Sequence, residues 1–429
     1  MKRALLAALV AATVCSLAAC QRQAEPAAGT PAAASAEGGN APAAAAATTA
    51  ATAAPAPGVD LEALAHRVVT QSAGVKEGES VLITGRQQDA ELMEDLAVEV
   101  ARVGGYPMIE YGSDRLSKRL FFDVPDKYDA RQDALVAKLV DAFDVVISLG
   151  NGTSENLFEG ADPKRMAARA KANESVGDAM FRKGVRLVEL GNNLYPTAWR
   201  AERFGMSQDE LARAFWDGVN MDYTQLQASG EQIRSALAAG NQVHITNPNG
   251  TDLSFRIQGR KVGVSDGIIS EEDRKQGGSA LSVYLPAGDV FTTPVPGSAQ
   301  GKLVDTGGTF RGKKIDSLTL TIDDGKVVAM EGTGPGYADM KAAYDAVDDA
   351  RKDEFSFFNL GINPNIKLGQ NSQSGSWMPA GAVTVGTGGN VWAGGDNSYN
   401  GGGQTVFLSG STVTLDDKVI VDKGELKLQ

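Results

Sequence analysis

The hydrophobic period of the chain changes at Asn241, and that change restricts the folds open to it. Before it, short continuous apolar runs alternate with stretches at helical spacing. In "DLEALAHRVV", starting at Asp60, residues Leu61, Leu64, Ala65, Val68 and Val69 fall on one helical face, with Asp60 placed to cap. "SVLITG", "YPMIEYG", "DVVISLGNG" and "VRLVEL" read as strands, separated by helical stretches such as "DAELMEDLAVEVARVG" and residues 162–183. Strands alternating with helices predict an α/β domain with a parallel sheet over residues 59–240. After Asn241, "QVHITNPNGTDLSFRIQGRKVG" alternates every second residue around Asn247-Pro248-Asn249-Gly250, a hairpin signature. "ALSVYL", "DSLTLTIDDGKVVAM", "GAVTVG", "TVFLSGSTVTL" and "KVIVDKGELKL" continue in that period. Only "GYADMKAAYDAVDDARKDE" interrupts it, so residues 241–429 are expected to form a β-rich domain with one inserted helix.

The first 58 residues belong to neither pattern. "MKRALLAALVAATVCSLAAC" sets two cations before an apolar stretch and small residues, the layout of an export signal over residues 1–19. Its end, Leu17-Ala18-Ala19-Cys20, resembles the bacterial lipobox, which implies lipidation at Cys20 and a membrane anchor there. Gln21 follows in place of the aspartate of an inner-membrane retention signal, so a lipid-anchored place in the bacterial cell envelope, at the outer membrane, is expected. Residues 20–58 are rich in alanine and proline and read as a disordered tether, with a coil reach of roughly 35 Å for about 38 residues. With Cys15 in the signal and Cys20 acylated, the folded part has no thiol for a disulfide, a metal or a nucleophile. The net charge of −12 repels nucleic acid, and no basic run offers a phosphate-tracking groove.

The usual short catalytic signatures are missing: there is no P-loop, HExxH, GxSxG elbow or CxxC pair. "GTGPG" at 332–336 reads as a turn before a helix. Histidine is scarce. His66 lies on the polar side of the first helix, and His244 alternates with Val243 and Ile245 in a strand. Among the carboxylates, Asp289 follows a tight Pro-Ala-Gly turn and enters an apolar strand, and Glu354 ends a helix before another apolar run. Glu271-Glu272-Asp273 reads as an exposed loop. Asp396 is the one carboxylate in "GDNSYNGGGQTVFLSG".

Three stretches, in order, carry a resemblance: "HITNPNGTDLSFRIQGRK", "YLPAGDVFTTPVPGSAQGKLV" and "EFSFFNLGINPN". They resemble the aminopeptidase T and aminopeptidase S family of metallopeptidases. "LEALAHRVVTQSAGVKEGESVLI" and "LYPTAWRAERFGMSQDELARAFWDGVNMD" in the first domain are similar to it as well. The resemblance implies a homodimeric exopeptidase that releases N-terminal amino acids with two metal ions, which activate water and polarise the scissile carbonyl. Its Gly-Glu-Val-Phe-Thr stretch matches "GDVFT", so one glutamate ligand falls on Asp289. Its second glutamate falls on Glu354, or on Asn359 if the register is fixed on "LGINP". A histidine ligand falls near Thr384, and a His-x-Asp pair falls within residues 395–410, where nothing from Asp396 to Asp416 supplies either side chain.

Two readings follow. In the first, the histidine ligands are gone, and the protein keeps the peptidase fold to bind a peptide or a partner, with Trp377, Trp392 and Tyr399 as the floor of a cleft. In the alternative, it is an active metallo-aminopeptidase or another hydrolase whose site has been rebuilt from carboxylates. Asp289, Glu354 and Asp396 would then hold Mn, Mg or Ca, with Zn the least suited to such ligands.

Overall fold

The computed structural model describes residues 59–427 apart from 133, 150–151, 155–156, 311–312, 369–376 and 400–402. Cys20, the signal and the tether lie outside the described residues. The first region contributes strands β1 (Ser80–Arg86), β2 (Tyr106–Gly112), β3 (Val145–Ser148) and β4 (Arg186–Leu190). The second contributes β5 (Gln242–Thr246), β6 (Asp252–Arg256), β7 (Val262–Ser265), β8 (Ser282–Leu285), β9 (Asp289–Thr292) and β10 (Gln300–Asp305). Next come β11 (Gly308–Phe310), β12 (Lys313–Ile315), β13 (Ser317–Asp323), β14 (Lys326–Thr333), β15 (Phe355–Gly361), β16 (Val383–Thr387) and β17 (Thr405–Leu408). The last are β18 (Thr412–Leu415), β19 (Lys418–Asp422) and β20 (Glu425–Leu426).

As the sequence predicts, the first region is an α/β unit with an all-parallel sheet, ordered β2-β1-β3-β4-β8. Its edge strand β8 comes from beyond Asn241, so one strand read as part of the β-rich region completes the first sheet. The second region holds an eight-stranded sheet, β14-β13-β10-β6-β5-β18-β19-β20, and a five-stranded sheet, β17-β16-β15-β9-β7, both antiparallel. The hairpin at Asn247–Gly250 forms between β5 and β6, with Gly250 N–H donating to Asn247 O at 3.0 Å. One apolar core runs from Leu64 and Val69 through Leu226 and Ile233 to Val290, Leu360 and Val413. The two regions are therefore joined by burial rather than by a linker.

Two local expectations change. The acidic cluster at Glu271 is a short helix, Glu271–Gln276. Ser270 accepts from the Asp273 N–H at 3.1 Å, and Asp273 accepts from the Ser270 N–H at 2.9 Å, a reciprocal cap that satisfies two otherwise open donors. The inserted helix is confined to Tyr337–Asp345 and gives way to a 3₁₀ turn at Ala350–Asp353. His66 is largely solvated, with Nδ1 at 3.1 Å from a Glu99 carboxylate oxygen.

Candidate functional site: a buried polar row on the five-stranded sheet

Side chains alternate across a strand, so each strand of the five-stranded sheet has two faces. Val290, Leu360, Val383, Val385, Val406 and Leu408 point into the core. Asp289, Phe291, Asn359, Thr384 and Phe407 share the opposite face. The register sets Asn359 across from both Phe291 and Thr384, Thr384 across from Phe407, and Asp289 across from Gly361 and Ser265. Asp289 starts its strand behind Gly288, whose φ of +132° is open to glycine and which packs against the backbone of Asn363. That turn delivers the carboxyl group into the sheet instead of to solvent.

Asp289 is 5% exposed, Asn359 is buried beside it, and Thr384 is buried beyond Asn359 on the next strand. Asn359 Nδ2 donates to Asp289 Oδ2 at 3.1 Å. Burial pushes the Asp289 carboxyl up to about 7, with a hydrogen bond to Ser265 opposing the shift. Asn359 Oδ1 and Thr384 Oγ1 are buried with no hydrogen-bond partner. Such oxygens are costly to leave unpaired, and each can accept a hydrogen bond.

Aromatic rings flank the row. At the β17 side Trp377 stacks on Phe407 with centroids 6.4 Å apart. On the other side Trp392 packs against Phe291 at 5.4 Å and Phe357 at 5.3 Å, and is itself 47% exposed. Tyr399, read from the sequence as a third floor residue, is instead buried, with its backbone N–H held by Asn397 Oδ1 at 2.9 Å.

Glu354 and Asp396 do not join Asp289. Glu354 precedes Phe355, at the end of β15 away from Gly361, and seven residues at about 3.3 Å each put it roughly 20 Å along the sheet from Asp289. Its carboxylate accepts from Asn397 Nδ2 at 2.8 Å, and its carbonyl accepts from Gly388 N–H at 2.9 Å. Asp396 is exposed on the adjoining loop. Among the described residues no group of three or more His, Cys, Asp or Glu side chains could hold a metal ion. Asn359, the other position named from the sequence, is the one whose side chain meets Asp289. The signal was present in "FSFFNLG", where one amide interrupts an apolar run at strand period.

In the glycine-rich stretch after Asp396, Gly403 serves close backbone approach. A Cβ on Gly403 would lie 1.8 Å from Thr387 O. Asn390 and Asn397 clip this loop: Asn397 N–H donates to Asn390 Oδ1 at 2.9 Å, and Asn390 Nδ2 donates to Ser356 O at 3.0 Å.

The donors in the row are one carboxyl that is largely neutral below pH 7, one amide oxygen and one hydroxyl. Without imidazole and with at most one negative charge, this set does not fit a dinuclear zinc-type centre.

A profile of the thermophilic metalloprotease (M29) family matches residues 59–336, which include the strand bearing Asp289 and stop before the strands bearing Asn359 and Thr384. The chain is 23% identical over 303 residues to the aminopeptidase PepS of Streptococcus thermophilus, covering 63% of this chain and 69% of that one. Two solved structures share its fold. Wild-type AmpT from Thermus thermophilus matches with a TM-score of 0.59 at 16% identity, over 86% of this chain and 98% of its own. A 2,5-dihydroxypyridine dioxygenase from Pseudomonas putida matches with a TM-score of 0.53 at 14% identity, over 86% and 97%. One architecture thus carries a peptidase-family protein and a dioxygenase, and the chemistry must be argued from the site.

Proposed function

The chain belongs to the thermophilic metalloprotease (M29) family, and on that premise we propose that it is an aminopeptidase-like envelope lipoprotein that binds a peptide or protein partner without cleaving it. The observation that carries this reading is the row itself: an amide, Asn359, stands beside Asp289 and a hydroxyl, Thr384, beyond it on the next strand, in place of a second carboxylate and an imidazole. A ligand N–H reaching Asn359 Oδ1 or Thr384 Oγ1 would satisfy an oxygen that now has no partner. Trp392 and Phe291 on one side, and Trp377 and Phe407 on the other, supply the apolar contact that holds a side chain there. The sequence of residues 1–58 supports anchoring at Cys20 and display on a tether. Homodimer formation belongs to the same reading. Its support is the edge strand β2, which leaves Tyr106, Met108, Ile109 and Tyr111 exposed.

The orphaned amide oxygen favours one second reading, a single hard cation held by Asp289 and Asn359 Oδ1. One experiment separates the two. The purified chain is dialysed against Mn²⁺, Mg²⁺, Ca²⁺ and Zn²⁺ in turn and its metal content measured, and a peptide library is then titrated by tryptophan fluorescence. Peptide binding with no retained metal, weakened about tenfold in Trp392→Ala, supports the binding protein. One ion per chain, lost in Asp289→Asn, supports the cation site and sends the chain to an aminoacyl-substrate screen.

A further inference from the structure

A concave site of different chemistry lies on the parallel sheet, not on the five-stranded sheet that carries the polar row. A cavity of about 430 Å³ opens at the end of the parallel sheet where its strands begin. Because those strands are parallel, the residues entering β1, β3, β4 and β8 meet there: Glu79, Asp144, Arg186 and Leu281, joined by Arg274. The lining carries four cations, Arg182, Lys183, Arg186 and Arg274, against two carboxylates, Glu79 and Asp144.

Each carboxylate already has a cation. Glu79 is paired with Arg186, and Asp144 lies 3.6 Å from Lys183 Nζ. Arg182 is left over, and Arg274 has only a long contact with a carboxylate outside the cavity lining. Among the described residues Arg182 has no ion-pair partner on record in the structure, and Arg274 is 3.8 Å from Glu271, an exposed group already bonded to Lys76 at 2.8 Å. Arg274 cannot simply swing away, because its Nη2 donates to the carbonyls of Ala73 at 3.3 Å and Gly74 at 2.6 Å. The Nε–H groups of Arg186 and Arg274 are both buried and have no acceptor. Burial first, and then the charge of Arg186, holds the Arg274 guanidinium below its ordinary value. Two guanidiniums are thus packed together, partly dehydrated and short of acceptors, in a chain whose net charge is −12. What the arrangement lacks is an anion.

We propose that this cavity binds a phosphoryl group carrying two negative charges, with Arg182 and Arg274 as the cations that neutralise it. A dianion matches the two surplus cations, and a phosphomonoester is largely dianionic above about pH 7 because its second pKa is near 6. The cavity falls within the roughly 300–1,000 Å³ range of small-molecule sites, so it accommodates a phosphomonoester and not only free phosphate. The phosphoryl group can come from a soluble ester or from a lipid headgroup.

The full chain is titrated calorimetrically at pH 7.5 with inorganic phosphate and with glycerol 3-phosphate, against chloride at matched ionic strength. Saturable binding, at least tenfold weaker in Arg182→Gln and in Arg274→Gln and unchanged in Arg213→Gln, is the expected result. Arg182 is exposed, so its variant decides the matter even if Arg274→Gln fails to fold. Vesicles of phosphatidylcholine with phosphatidic acid form the second arm. If inorganic phosphate or Arg182→Gln reduces vesicle binding, the group is a lipid headgroup; if neither does while phosphate still binds, it is a soluble ester. No binding above the chloride control, or equal binding in wild type and Arg182→Gln, overturns the proposal.

Discussion

Asn359 donates its side-chain amide to the carboxyl group of Asp289 at 3.1 Å, across two antiparallel strands whose other faces form the core. Both groups are buried, so this contact governs what the row can hold and how it responds to pH.

The first prediction concerns pH. Asp289 is raised from 3.8 to about 7 by burial, so the folded state favours its protonated form. The stability from that proton is fully present below about pH 4, falls as the pH rises through the window to about 7, and is then gone. A shift of this size corresponds to at most about 4 kcal/mol. Asp289→Asn removes the dependence. Urea denaturation of both proteins at pH 5 and pH 8 is expected to show the variant gaining on wild type at the higher pH. A stability difference that does not change between the two pH values would contradict the assignment.

A second prediction separates Glu354 from the site. Its carboxylate meets Asn397, which also donates to Arg351 O at 2.9 Å and accepts from Tyr399 N–H at 2.9 Å. Asn397→Ala breaks several buried hydrogen bonds at once and should cost about 2–3 kcal/mol. Glu354→Gln keeps an acceptor for Asn397 and should cost under about 1 kcal/mol, with metal content and ligand affinity unaltered. Denaturation midpoints and the binding titration check both.

The third prediction reverses the loss of ligands. Asn359→Glu with Thr384→His places a carboxylate next to Asp289, and an imidazole next to that carboxylate, on one sheet face. The double variant is expected to bind one Zn²⁺ or Mn²⁺ at least a hundredfold more tightly than wild type, read by calorimetry. Equal affinity in the two proteins would mean that the face is not shaped as a ligand cradle.

The fourth concerns the edge of the first sheet. Tyr111 is 55% exposed and Ile109 is also exposed on β2, which has a neighbour on one side only. If this edge joins two copies, Ile109→Lys shifts sedimentation from dimer to monomer, because a charge on an edge opposes strand pairing. A wild-type chain that sediments as a monomer across micromolar concentrations would exclude it.

The sequence by itself determined the alternation of helix and strand before Asn241, the period-two segments after it and the Asn247–Gly250 hairpin. Local spacing carries that information directly. It also determined that residues 245–429, which form the five-stranded sheet's later strands, carry no histidine of their own. Membership of β8 in the parallel sheet was not legible, because its four residues have the same period in either sheet. Nor was the choice of Asn359 over Glu354 as the neighbour of Asp289. The two candidates are five positions apart, Glu354 just before β15 and Asn359 within it, and strand register, which depends on the whole buried face, decides which of them reaches the carboxyl. The pairing of Arg186 with Arg274 likewise required the tertiary structure. Their positions are 88 residues apart, and only the closing of a parallel sheet brings the start of β4 to the helix that carries Arg274.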